Sequence, residues 1–281
     1  MFPGARAPRE DAEYAVVGAP LDISTTFRPG TRFGPTRVRE AATPFEDYDH
    51  PTGLQFTDLG VHDHGDIHAS DDAEEYLEFL RGTLAEYRRE GVVPLLVGGE
   101  HTVTVAAVRA LDPEVYVCLD AHLDLRTSYA GNPLSHATVA HHAAEHADEM
   151  VILGARAGSE AEWERAEDSN YGEVTVVPPA EVPDWEPAGV LDGRRAYLSV
   201  DIDAADPGFA PGTGTPEPFG LDPATMYSVV RSVAPACDGF DVVEVNDRDD
   251  GQAAALGAKL LRAFVYAHAG ANGHTGTNGQ R

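Results

Sequence analysis

Short apolar runs rich in β-branched residues recur along the chain, separated by amphipathic stretches heavy in alanine and glutamate. The runs at 15–18, 92–97, 115–119, 150–153, 174–177, 196–202 and 240–245 read as strands. The stretches at 71–89, 103–111, 137–146, 160–167, 223–233 and 253–267 read as helices. Several strands, VVPLLV and VYVCL among them, are apolar without alternation, so helices must cover both faces of their sheet. Strands alternating with helices predict an α/β protein with a largely parallel sheet. No fixed-period repeat interrupts the pattern. The final stretch, GANGHTGTNGQR, is polar and aperiodic and reads as a disordered tail. The expected organisation is an N-terminal extension at 1–13, one domain at 14–268 and the tail at 269–281.

Length agrees with one domain, since 281 residues of which 42% are hydrophobic can bury one sizeable core. Charge narrows the partners. Twenty Lys+Arg against 47 Asp+Glu leave a formal charge of −27, and Lys259 is the only lysine. No nucleic acid and no anionic membrane surface is therefore expected as partner. Carboxylates spread along the chain suit a halophilic protein kept soluble in concentrated salt. Cys118 and Cys237 sit in apolar runs as buried thiols do, so neither a disulfide framework nor a thiolate zinc site is expected. The N-terminus lacks an apolar signal core, and no apolar stretch approaches the ~20 residues that span a bilayer. A cytoplasmic protein is expected.

In open parallel sheets, ligands bind beyond the carboxyl ends of the strands. Three such ends carry unusual residues: GGEHT follows VVPLLV, DAHLD follows VYVCL, and DIDAADP follows AYLSV. On an extended backbone Asp120, His122 and Asp124 would point to one side, about 6.6 Å apart per step. Asp201 and Asp203 repeat that spacing, and His101 adds an imidazole from a third strand end. If the strands are neighbours, four carboxylates and two imidazoles converge. Such carboxylates repel and take up protons unless cations neutralise them. Oxygen-rich ligands with a minority of imidazole suit Mn²⁺ better than Zn²⁺. Two ions sharing a water would lower its pKa, which implies metal-assisted hydrolysis. Other histidines read more plainly. A lone Asp-x-Asp after a strand is commonly a turn cap. His62, His64 and His68 fall in a polar segment that reads as solvated loop, and His141, His142 and His146 fall on a helix surface.

GGEHT, DAHLD, SVDIDAADP and GTGTPEPFGL, in this order and at these separations, resemble the motifs of the ureohydrolases, the arginase and agmatinase family. The resemblance spans roughly 14–268, and FRPGTRFGPTRVRE and GNPLSHATVA are similar to the agmatinase branch. It implies a three-layer α/β/α fold with a central, mostly parallel sheet, and two Mn²⁺ per subunit. One ion would be held by His101, Asp120, Asp124 and Asp201, the other by His122, Asp120, Asp201 and Asp203. His136 matches the family's mobile histidine, a proton shuttle or substrate-orienting group. Glu217 matches the carboxylate that pairs with a guanidinium through two parallel hydrogen bonds. Asp124 would relay the proton to the leaving amine. The implied reaction converts a small guanidino substrate, agmatine foremost, to urea and an amine, in a homotrimer or homohexamer. Arginine, guanidinobutyrate and formimino compounds are the alternative substrates, and a catalytically silent metal-binding regulator is the alternative outside enzymes. Three departures touch substrate fit: GGEHT for GGDHS, Ala137 for glycine in SHAT, and Asp247 for proline after Glu244.

Overall fold

The computed structural model describes residues 1–68, 72–168 and 171–274. Ten strands form: β1 (Tyr14–Ala19), β2 (Tyr48–Asp49), β3 (Leu54–Gln55), β4 (Val61–Asp66), β5 (Val93–Gly98), β6 (Val115–Leu119), β7 (Glu149–Leu153), β8 (Glu173–Val177), β9 (Ala196–Asp201) and β10 (Cys237–Val243). Eight of them make one sheet in the order β4-β1-β5-β10-β9-β6-β7-β8, every pair parallel. β2 and β3 form a separate antiparallel pair. The helices are α1 (Gly34–Ala41), α2 (Ala73–Glu90), α3 (Thr104–Leu111), α4 (Val139–Ala143), α5 (Glu160–Glu167), α6 (Ala188–Leu191), α7 (Pro223–Val233) and α8 (Gln252–Ala271).

Alternate strand residues point to opposite faces, and the core divides accordingly. Val115, Val117 and Leu119 join Val38 of α1, Met226 of α7 and Phe264 of α8 on one face. Tyr116 and Cys118 join Leu80 of α2, Val108 of α3 and Ala143 of α4 on the other. The result is the three-layer α/β/α arrangement that the motifs implied. α2 shows how local sequence sets an element. Asp72 caps it by accepting from the amide of Glu75 at 3.0 Å, Gly91 ends it in the left-handed conformation, and Tyr76, Leu77, Leu80, Leu84 and Tyr87 form its buried stripe.

Several elements differ from the sequence reading. β4 falls in VHDHGD, read above as loop; it is an edge strand held by backbone pairing to β1 alone. His62 and His64 lie on it, with His64 Nδ1 2.8 Å from the Tyr87 hydroxyl, and His68 is exposed just beyond. The helix expected at 137–146 is a 3-10 turn, His136–Thr138, followed by the short α4, because the amide of His141 donates to the carbonyl of Asp124 at 3.1 Å. His141 and His142 bond to Tyr171 and Pro133. α1 and the β2/β3 pair carry no apolar periodicity strong enough to have been read. α8 runs on to Ala271, into the stretch read as tail, and 275–281 lie outside the described residues, as does Asp71 of the helix expected at 71–89. At the other end Phe2 and Ala5 are buried in the core. Among the described residues no helix is long and apolar enough to cross a membrane.

Candidate metal centre

The four central strands, β5, β10, β9 and β6, are consecutive neighbours, and their carboxyl ends supply His101, Glu244, Asp201 with Asp203, and Asp120 with His122 and Asp124. The six residues expected as ligands come together. His101 Nδ1 lies 3.0 Å from Asp124 Oδ2, 3.2 Å from Asp120 Oδ2 and 3.5 Å from Asp201 Oδ2. His122 Nδ1 lies 3.0 Å from Asp203 Oδ2 and 3.6 Å from Asp120 Oδ1. Convergence does not come from one extended strand. β6 ends at Leu119, and Asp124 sits in the left-handed region at φ 50, a conformation that aspartate tolerates and that turns its carboxylate back toward His101.

The surrounding bonds leave each ligand atom aimed inward. Ser199 donates its one hydroxyl proton to the fully buried Asp241 at 2.7 Å, so it accepts from Nε2 of His101 at 3.1 Å. With Nε2 held by Ser199, Nδ1 is the ring atom that faces the carboxylates, which is how an outer hydrogen bond orients a metal-ligating imidazole. Asp203 Oδ1 accepts from the amide of Ala121 at 3.0 Å, while Oδ2 faces His122 and the Thr215 hydroxyl at 3.2 Å. Cys118, read as an ordinary core thiol, lies against the centre, with Sγ 3.8 Å from Asp120 Oδ2. Burial pushes its thiol up to about 12, and among the described residues Cys118 with His101 and Asp120 forms one of two groups whose donor atoms lie close enough to hold an ion, the other being Asp120, His122 and Asp203.

Electrostatics agree with a site built for cations. Burial and the neighbouring Asp120 carboxylate push Asp124 up to about 7. Burial, with Asp203 and Asp120 beside it, raises Asp201 well above the carboxylate range. Burial works against charge on His122, yet Asp203 and Asp120 push its imidazole up to about 12. Without cations the cluster therefore holds itself together with protons. Two imidazoles and four carboxylates are a chemically suitable donor set for two divalent ions. A carboxyl whose folded pKa is raised keeps its stabilising effect below its unfolded value, near 4, and loses it as pH rises through the folded value, here about 7. Melting temperature in a chelator should accordingly fall between pH 5 and about 7.5, whereas saturating Mn²⁺, which needs ionised ligands, should flatten or reverse the trend. Differential scanning fluorimetry gives both curves, and parallel curves would contradict a cation site here.

Outside the ligands lies a cleft of about 310 Å³ lined by His122, Asp124, Arg126, Tyr129, His136, Ala137 and Thr215, among others. His136 enters with a buried Nε2 that has no partner, and burial lowers its pKa, leaving a neutral imidazole. Its amide donates to the Ser24 hydroxyl at 2.9 Å, and Ser24 in turn is clamped by the buried Glu100. Glu100, the departure in GGEHT, thus holds a loop at the cleft. Ala137, the departure in SHAT, lines the wall, and Asp247 pairs with Arg37 at 2.6 Å on the surface.

Glu217 is half-exposed and outside the cleft wall, with its carbonyl accepting from Arg156 at 2.7 Å. The carboxylate that the sequence reading passed over is Glu244. It is 1% exposed, sits at φ 61, and accepts the amide of His101 on Oε1 at 2.8 Å, while Oε2 has no partner. Oε2 points at Gly214, where a Cβ would come within 3.2 Å, next to the cleft-lining Thr215. Burial, with Glu100 and Asp203 near it, raises its pKa well above the usual range. A buried carboxyl with one bare oxygen is a place for a cationic hydrogen-bond donor, whose arrival would favour its ionised form.

The profile of the arginase family matches residues 12–266. The chain is similar to the N(1)-aminopropylagmatine ureohydrolase of Thermococcus kodakarensis, 36% identical over 266 residues that cover 90% of this chain and 89% of that protein. It is similar also to the agmatinase of Pyrococcus horikoshii, 34% identical over 270 residues and 90% of each. Of solved structures, the agmatine ureohydrolase of Thermoplasma volcanium matches with a TM-score of 0.88 at 33% identity, over 96% of this chain and 94% of that one.

Proposed function

The chain belongs to the arginase family and is an amidinohydrolase, and we propose that it hydrolyses agmatine to putrescine and urea with two Mn²⁺ bound at the strand ends. The observation that carries this reading is the meeting of two imidazoles and four carboxylates at the floor of a cleft the size of a small ligand. His101, Asp120, Asp124 and Asp201 would hold one ion, and His122, Asp120, Asp201 and Asp203 the other. Bound there, the cations would supply the Lewis acidity that makes water a nucleophile near neutral pH.

The chain's own residues do the rest. Glu244, in place of the Glu217 implied by the motif, meets the substrate guanidinium with its unpartnered oxygen. Asp124 accepts a proton from the attacking water at its carboxylate and returns it to the departing amine nitrogen, a role open to a carboxylate that lines the cleft. Neutral His136, with its bare Nε2 in the cleft wall, orients the substrate or carries a proton between solvent and the amine.

Substrate choice rests on the outer end of the cleft. Arg126 is the cation there, and it is committed. Its Nη2 is 3.1 Å from Glu162 Oε2, the Glu162 side chain is 4% exposed and also accepts from the amide and hydroxyl of Ser159, and the guanidinium lies over the Tyr129 ring. A carboxylate at the far end of arginine or guanidinobutyrate would have to share this guanidinium with Glu162, whereas the ammonium of agmatine would not. Agmatine should lead both in kcat/KM by at least about tenfold, or ~1.4 kcal/mol of differential transition-state binding. Urea release from the three compounds with added Mn²⁺ checks this, and a lead by arginine or guanidinobutyrate would reassign the branch. The Thermococcus kodakarensis relative makes N(1)-aminopropylagmatine the next compound to try, since its extra amine is again a cation.

A further inference from the structure

Arg156 leaves β7 beside the centre and has an unusual set of partners. Its backbone amide donates to the carbonyl of Ala121, inside DAHLD, at 2.9 Å. Its guanidinium then reaches across to two other segments. Nη2 donates to the carbonyls of Asp203 at 2.8 Å and Glu217 at 2.7 Å, Nη1 to those of Gly154 at 3.0 Å and Ala204 at 3.2 Å, and Nε to that of Pro218 at 3.0 Å. Guanidinium forks ordinarily meet carboxylates. Here the fork is used on main chain, and among the described residues no carboxylate lies within ion-pair distance of it. The space is shaped for it: a Cβ on Gly220 would fall 2.5 Å from Nη2, 2.6 Å from the amide of Asp206 and 2.7 Å from the carbonyl of Ala204.

We propose that Arg156 is a positioning residue that locks the DAHLD and DIDAADP loops to each other and to the segment carrying Thr215, so that Asp203 meets His122 in cation-binding register. The proposal rests on the reading of the site as a metal centre. Asp203 has little freedom, since its two oxygens are shared among the Ala121 amide, His122 Nδ1 and the Thr215 hydroxyl. A small backbone shift at Asp203 would break all three contacts at once. Lysine cannot replace the fork, because a single ammonium cannot span carbonyls on three segments.

Cation binding to R156K and G220A, followed by titration calorimetry and elemental analysis, tests the proposal. G220A leaves the arginine in place and crowds its Nη2, together with the amide of Asp206 and the carbonyl of Ala204, so it supports R156K and does not stand alone. The wild type should bind two Mn²⁺. In both variants the weaker affinity should drop by at least about tenfold, as loss of an outer-sphere partner does, while the tighter ion and the melting temperature of the metal-free protein stay near wild type. Unchanged affinities overturn the proposal, and so does equal weakening of both ions with a lowered metal-free melting temperature, the mark of a merely structural arginine. A wild type that takes up no divalent cation overturns the metal reading itself and this proposal with it. If neither variant folds, hydrogen exchange on the wild type decides. Amides at 203–206 and 217–220 should gain protection together as Mn²⁺ is added, and independent responses would sink the coupling.

Discussion

Asp120→Ala should abolish turnover and lower the metal content of the protein. Asp120 is the carboxylate shared by both halves of the centre: Oδ2 faces His101 Nδ1 at 3.2 Å, and Oδ1 faces His122 at 3.6 Å while accepting the His122 amide at 2.7 Å. The His101 and His122 imidazoles hold its pKa below the carboxylate range in spite of burial, so it is the anion least in need of a proton. Its removal would take a ligand from each of the two proposed ions. Lewis-acid catalysis contributes several kcal/mol of charge stabilisation, and a loss of about 4 kcal/mol lowers kcat/KM about a thousandfold. His64→Ala, on the edge strand and bonded to Tyr87, should change turnover by less than about twofold, as surface changes remote from a site do. Elemental analysis should find fewer than two ions in the aspartate variant. Equal losses in the two variants, or full metal content in Asp120→Ala, would mean that the centre lies elsewhere.

How legible each element was depended on how its burial is divided. β5, β6, β7 and β9 are covered on both faces, so their sequences are mostly apolar without alternation, and their shortness reads as strand. β4 has one neighbour, and its polar positions are satisfied by particular partners rather than by a core: Arg39 makes two bonds of 2.9 Å to Asp63 and one of 2.5 Å to Asp66. Nothing in VHDHGD signals that an arginine 24 residues earlier would hold it. α1 escaped notice for a related reason, since GPTRVREA buries only Gly34, Pro35, Val38 and the Arg39 that serves β4.

The site was legible where a pattern repeats and illegible where a single residue acts. DAHLD and DIDAADP show themselves by repeated acidic spacing after apolar strands, although the geometry that unites them is a turn with Asp124 left-handed, not an extended strand. Glu244 has no repeat to mark it. It follows β10 as one acid after an apolar run, and only the strand order, which inserts β10 between β5 and β9, brings it beside His101. Glu217 carried a stronger motif and a weaker position. Arg156 was invisible for a third reason, because its partners are carbonyls, and carbonyls belong to every sequence.

Glu244→Gln should therefore cost far more than Glu217→Gln. Neutralising Glu244 keeps its shape and its bond from the His101 amide, but removes the anion that a guanidinium would meet. Truncating one partner of a buried, hydrogen-bonded charge pair costs about 2 to 5 kcal/mol, so kcat/KM for agmatine should fall by roughly 30-fold to several thousandfold. KM should rise more than kcat falls, because that contact holds the amidine carbon over the metal ligands in ground state and transition state alike. Two Mn²⁺ should still bind, since Glu244 is not among the six ligands, and this separates loss of substrate contact from collapse of the centre. Glu217→Gln removes a half-exposed carboxylate whose carbonyl, not its side chain, is tied to Arg156, and kcat/KM should change by less than about threefold. Steady-state kinetics on the two variants, with metal content measured alongside, decides between them. A severe loss in Glu217→Gln beside a mild one in Glu244→Gln would restore the motif's assignment, and it would require the segment at 217–220 to close over the cleft when substrate binds.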